Sequence, residues 1–258
     1  MVDVKALAEI VDEAARRGVA VAQLTDMYPA LSIETAYAVQ AEAIGRRLQR
    51  GERRIGVKMG LTSRAKMQQV GVDEVIWGVL TDAMILDDGE SLDLDGMIHP
   101  RVEPEIAFLL KKPFTGEASA QWAADAVEAV APALEIIDSR YQDFKFRVAD
   151  VVADNSSAAG VVIGPWRKPD LDIANLGMIL SFDGRPVQVG SSAAILGHPL
   201  RALLAAARLT ERYGEGLKAG DIVLAGASTA AEPLRPGVNV QLQVQNLGLM
   251  GFNTKERK

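Results

Sequence analysis

The chain of 258 residues has no cysteine, which excludes disulfides, thiolate nucleophiles and cysteine-built zinc sites. Its only histidines, His99 and His198, leave little material for a histidine-built metal centre. No apolar run is long enough to span a bilayer. The first residues, Met1-Val-Asp-Val-Lys-Ala-Leu7, enter a charged amphipathic pattern instead of an apolar signal core, so a soluble cytoplasmic protein is expected. A formal net charge of -6 argues against a nucleic-acid or anionic-membrane partner. There is no G-x-S-x-G elbow, P-loop or G-x-G-x-x-G turn. The basic run Arg46, Arg47, Arg50, Arg53 and Arg54 reads as a solvated helix end.

What is present is core material, 48% of the residues being hydrophobic. Leu7, Ile10, Val11 and Ala14 share one face of a helix predicted over 4–17. A second helix starts at Ser32, a plausible N-cap, and runs to about Gly51. From Ile55 the pattern changes to short apolar strands punctuated by glycine: Ile55–Met59, Glu105–Leu110, Ala133–Ile137, Gly160–Ile163, Met178–Phe182, Ile222–Ala225 and Val238–Val244. Asp183-Gly184 signals a hairpin. Helices are predicted at about Ser63–Val70, Gln121–Val130 and Leu200–Tyr213, and a frayed tail over Asn253–Lys258. The irregular order predicts an α+β fold on a mixed, curled sheet. Residues 1–54 form an N-terminal helical region, and 55–258 the catalytic domain.

Chemistry concentrates in three acids. Glu103 and Glu105, in Arg101-Val-Glu-Pro-Glu-Ile106, point the same way along an extended segment. Glu135 sits inside the apolar run Ala133-Leu-Glu-Ile-Ile137. Two acids at this spacing also suit a solvated strand face. Carboxylates embedded in apolar runs, however, are costly to bury unless paired or bound to a cation, and together they suit a hard divalent ion. Pro104 places its stretch at an edge, a bulge or a strand start. Lys58, before a glycine turn, is either an edge lysine or a desolvated proton donor beside acids. Arg140 either clamps a substrate carboxylate or pairs with an acid. Thr229, simplest as a loop residue, is also a candidate substrate contact, and His198 serves a helix start.

Five segments together resemble the 2-hydroxypenta-2,4-dienoate hydratase and 4-oxalocrotonate decarboxylase group of the fumarylacetoacetate hydrolase superfamily. They are Gly56-Val-Lys-Met-Gly-Leu-Thr-Ser63, Pro100-Arg-Val-Glu-Pro-Glu105, Leu134-Glu-Ile-Ile-Asp-Ser-Arg140, Val152-Ala-Asp-Asn155 and Leu196-Gly-His-Pro199. The resemblance implies that family's sheet roll, Mg²⁺ or Mn²⁺ on Glu103, Glu105 and Glu135, and Lys58 as the catalytic lysine. Ser157 matches a serine beside the substrate pocket. Hydratases of the group carry an aspartate where this chain has Ile76, and adding water needs a group to activate it. Losing CO₂ does not, and an apolar wall favours it. The resemblance therefore implies decarboxylation of a 2-oxo dicarboxylate in aromatic meta-cleavage degradation, with hydration or scaffolding of the sister hydratase as alternatives. It also implies a homo-oligomer and a complex with that hydratase.

Overall fold

Alternating apolar residues build two sheets in this computed structural model, which describes residues 2–63, 67 and 74–256. The larger sheet contains β1 (Arg54–Gly60), β2 (Ile76–Thr81), β3 (Ile85–Leu86), β5 (Pro100–Leu110), β6 (Val127–Asp138), β7 (Ala158–Ile163), β10 (Ile222–Leu224) and β11 (Glu232–Pro233). Its order is β2-β1-β10-β5-β6-β7-β3, with β11 on β5. The outermost strands of that order, β2 and β3, are consecutive in the chain and separated only by the turn Asp82–Met84. A flat sheet cannot bring its two ends together across so short a link, so the sheet curls into a roll.

Period-two alternation then sorts the side chains. The inside of the roll is narrow and filled with small or slender residues, including Ala107, Ala131, Ala133, Val161 and Leu224. The outside presents Val57, Met59, Trp77, Ile106, Phe108 and Ile136 to the main core. That core is closed by a second, five-stranded sheet. Its strands are β4 (Ser91–Leu92), β8 (Gly177–Phe182), β9 (Arg185–Ser191), β12 (Asn239–Val244) and β13 (Gly248–Thr254). Asp183 and Gly184, at φ 51° and 74°, make the tight β8–β9 hairpin.

Six described helices cover the sheets: α1 (Val4–Arg17), α2 (Leu24–Met27), α3 (Ile33–Gln49), α4 (Ala120–Ala126), α5 (Val148–Ala153) and α6 (Pro199–Tyr213). Ser32 caps α3 by accepting the Thr35 N–H at 3.1 Å, and His198 Nδ1 accepts the Leu200 N–H at the start of α6. The basic run lies at the C-terminal end of α3 and just beyond it, with Arg50 and Arg53 exposed, and its members are also ion-paired. Arg46 and Arg50 both pair with Asp12 of α1, Arg47 with Glu52, Arg53 with Asp82, and Arg54 with Asp221.

Other expectations need correction. The helix predicted over Gln121–Val130 ends at Ala126, because Val127 already opens β6. Asn253 and Thr254 belong to β13, the latter donating its hydroxyl to Arg235 O, so the tail starts later. Pro104 sits in mid-strand and not at a strand start, but at an expected bulge: opposite it the chain leaves the β5 ladder between its pairings at 107–109 (β10) and 101–102 (β11). Its carbonyl accepts the Ser228 N–H at 3.0 Å, so its missing donor faces the Ser228 loop and interrupts no bond to β6. The helix predicted at Ser63–Val70 lies outside the described residues, apart from Ser63 and Met67.

Candidate active site

The antiparallel β5–β6 pair sets Glu103 directly opposite Glu135, and Glu105 lies two residues along the same face of β5. One oxygen from each of the three carboxylates lies within 4.8 Å of the others. Glu105 and Glu135 are fully buried, and Glu103 is 8% exposed. From β1, Lys58 reaches across the roll, its Nζ 2.9 Å from Glu135 Oε1 and 3.0 Å from the Ser156 carbonyl. The Gly226 N–H donates to Glu105 Oε2 at 2.7 Å.

Three buried carboxylates thus face one ammonium, and negative charge is in excess. Burial pushes Glu135 up to about 7, with Lys58 opposing the rise. Burial and then the charge of Glu135 push Glu105 well above the ordinary carboxylate range. For Lys58 burial favours the neutral amine, but Glu135, Glu103 and Glu105 together outweigh it and raise its pKa. With the acids ionised, Glu105 Oε1 and Glu135 Oε2 have no hydrogen-bond donor among the described residues. Buried, orphaned oxygens from an all-carboxylate set fit a hard divalent cation such as Mg²⁺.

The cluster opens into a cavity of about 390 Å³ whose lining includes Lys58, Glu103, Ile76, Arg101, Phe144 and Ser157. The Ser157 hydroxyl is buried and has no partner among the described residues. Ile76, also buried, gives the cavity an apolar wall. A larger groove of about 690 Å³ runs between α3 and the segment 213–222, but its ion pair Arg54–Asp221 is self-satisfied and no acid cluster converges there among the described residues.

Two candidate contacts lie elsewhere. Arg140 does not line the cavity: its Nε pairs with the Asp154 carboxylate, and its remaining donors reach the carbonyls of Asp138, Asp154 and Ala158. Thr229 packs towards Gly190 and bonds the Ala230 carbonyl, while its neighbours Ala227, Ala230 and Ala231 line the cavity. Besides Lys58, Arg101 faces the cavity, its guanidinium 4.2 Å from the Phe144 ring centre. Sequence spacing contained this signal, since Arg101 lies two residues before Glu103. Phe144 and Phe146 had no such signal, because a left-handed turn at Asp143 and Phe144, both at φ 57°, aims that segment.

The profile of the fumarylacetoacetate (FAA) hydrolase C-terminal region matches residues 55–253. A 4-oxalocrotonate decarboxylase from a Pseudomonas species is 54% identical, over 96% of each chain. A 2-keto-4-pentenoate hydratase from Paraburkholderia xenovorans is 38% identical, over 92% of this chain and 89% of its own. The structure of 4-oxalocrotonate decarboxylase from Pseudomonas putida G7, complexed with magnesium and adipate, superposes with a TM-score of 0.95 at 37% identity, over 97% of each chain. On these similarities and on its curled sheet, the chain belongs to the fumarylacetoacetate hydrolase family.

Proposed function

We propose that the chain is a carboxy-lyase that converts 2-oxohex-3-enedioate, or a close analogue, to 2-hydroxypenta-2,4-dienoate and CO₂ in aromatic meta-cleavage degradation. The observation that carries this reading is the carboxylate trio with a buried ammonium, opening on a cavity walled by Ile76. Glu103, Glu105 and Glu135 would hold Mg²⁺ or Mn²⁺, which supplies Lewis-acid stabilisation of negative charge on the 2-oxo oxygen.

When the distal carboxylate leaves, the electron pair of the broken C–C bond runs along the conjugated chain to the C2 oxygen. Lys58 adds a fixed positive charge beside that oxygen and a proton for it. The Ser157 hydroxyl, unpartnered among the described residues, donates to the 2-oxo acid. Ile76 keeps water and charge away from the departing carboxylate, and Arg101 is a cation available to a substrate carboxylate. Residues 1–54 form a helical region that buttresses the catalytic unit 55–258. The protein works as a cytoplasmic homo-oligomer, in complex with the hydratase that consumes its product.

The test supplies the purified chain and Mg²⁺ with each of two substrates. CO₂ release from 2-oxohex-3-enedioate supports the proposal. Consumption of 2-hydroxypenta-2,4-dienoate without gas supports hydration instead, a reading favoured by the similarity to hydratases. Activity that arises only on adding the hydratase indicates a scaffold partner.

A further inference from the structure

Asn155, Ser156 and Ser157 stand at φ 50°, 51° and 61°, three successive non-glycine residues in the left-handed region. L-residues visit this region singly, and asparagine tolerates it best, so a run of three persists only if its surroundings hold it. Here the restraints are visible. The Asn155 side chain acts as a short strand against β2: its Oδ1 accepts the Val79 N–H at 2.7 Å and its Nδ2 donates to the Val79 carbonyl at 2.9 Å. Ser156 Oγ donates to the Trp77 carbonyl at 2.8 Å. Gly78 lies between these contacts, and a Cβ there would sit 2.5 Å from the Asn155 carbonyl oxygen. Arg140 brackets the run from outside, bonding the carbonyls of Asp154 and Ala158.

The run has two outputs at the site. Its Ser156 carbonyl accepts from Lys58 Nζ, and its Ser157 hydroxyl is buried, unpartnered among the described residues and part of the cavity wall. A right-handed path through these residues would turn both groups elsewhere. We propose that Asn155 is a positioning residue: by clamping this left-handed run onto Val79 it aims the Ser156 carbonyl at Lys58 and the Ser157 hydroxyl into the cavity. Its role rests on the decarboxylase reading for the identity of the substrate, but the clamp concerns any 2-oxo acid bound there.

Three variants separate the possibilities. Asn155→Ala removes the clamp. Asn155→Gly also removes it but takes a positive φ without strain. Gly78→Ala leaves Asn155 intact and pushes on its carbonyl from β2. The Mg²⁺-loaded proteins are titrated calorimetrically with oxalate, which offers the paired oxygens of a 2-oxo acid, and Mg²⁺ binding is measured alone. The expected result is a tenfold or larger loss of oxalate affinity in all three, with Mg²⁺ affinity within twofold of wild type, since the glutamates lie on other strands. In turnover, kcat should fall at least tenfold, and by more than any change in KM.

Wild-type oxalate binding in folded Asn155→Ala overturns the proposal. Wild-type behaviour of Asn155→Gly alone also overturns it, by showing that only the backbone angle matters. A parallel loss of Mg²⁺ and oxalate binding overturns it too, because that marks a general structural role. A wild-type protein that binds oxalate but releases no CO₂ would overturn the decarboxylase reading and leave the clamp standing.

Discussion

Glu105→Gln keeps the shape of the side chain and the acceptor for the Gly226 N–H, but removes one of three charges. It should cut CO₂ release at least 100-fold, equivalent to about 3 kcal/mol of lost transition-state stabilisation, and lower Mg²⁺ affinity in a direct titration. Lys58→Ala should lower kcat by a similar factor. Near-normal turnover in both variants would remove these residues from the chemistry. The acids were legible in the sequence because two simple rules met on them: period-two spacing, and the cost of carboxylates inside apolar runs. For Arg140 the sequence offered both a substrate clamp and an acid pair, and the fold shows the pair. Its neighbourhood depends on Asp154, fourteen residues on, which comes back beside it only after the turn through α5. An arginine on a strand end looks the same in sequence whether it faces a substrate or a buried aspartate.

Single contacts decide how the elements lock together. Where β1 runs beside β10, a Cβ at Gly56 would overlap the Ile222 carbonyl. Gly56→Ala should therefore destabilise the protein by about 3 kcal/mol or more, read by urea unfolding, as expected when a backbone contact must shift. The pairing of α1 with α3 has a pH signature. Burial alone would raise the Asp12 pKa, but hydrogen bonds and charge from Arg50 and Arg46 hold it below 3.8. A carboxylate depressed in the folded state stabilises fully above its unfolded pKa and loses that contribution as pH falls through the folded value. Asp12→Asn should thus be less stable than wild type at pH 7, and the gap should shrink towards pH 3. Helices with caps and one apolar face were readable, as Ser32 and His198 show. Strand limits were not: β5 begins five residues before the apolar run that suggested it, and β6 six residues before. Their extra residues pair because neighbours across the roll are available, which no local pattern records.

At the scale of the whole molecule, the carboxylate trio is a local conflict within an otherwise apolar roll, and a cation resolves it. Mg²⁺ at about 100 times its Kd should add about 2.7 kcal/mol of stability. For a chain of this size that is a rise of about 5–10 °C in Tm, and chelator should reverse it. No rise would argue against Mg²⁺ binding at the trio. The curled, mixed sheet was legible as a fold class from the irregular order of strands and helices. Its closure was not, since the two-residue β3 carries almost no sequence signal. Closure also sets a sequence of events in time. Lys58 and Glu135 belong to strands separated by β10 and β5, and they meet only by reaching across the completed curl. A partly folded chain with an open seam therefore has no such meeting of charges. Added Mg²⁺ should consequently slow unfolding in stopped-flow denaturant jumps while leaving the refolding rate nearly unchanged, the behaviour of an interaction that forms after the barrier.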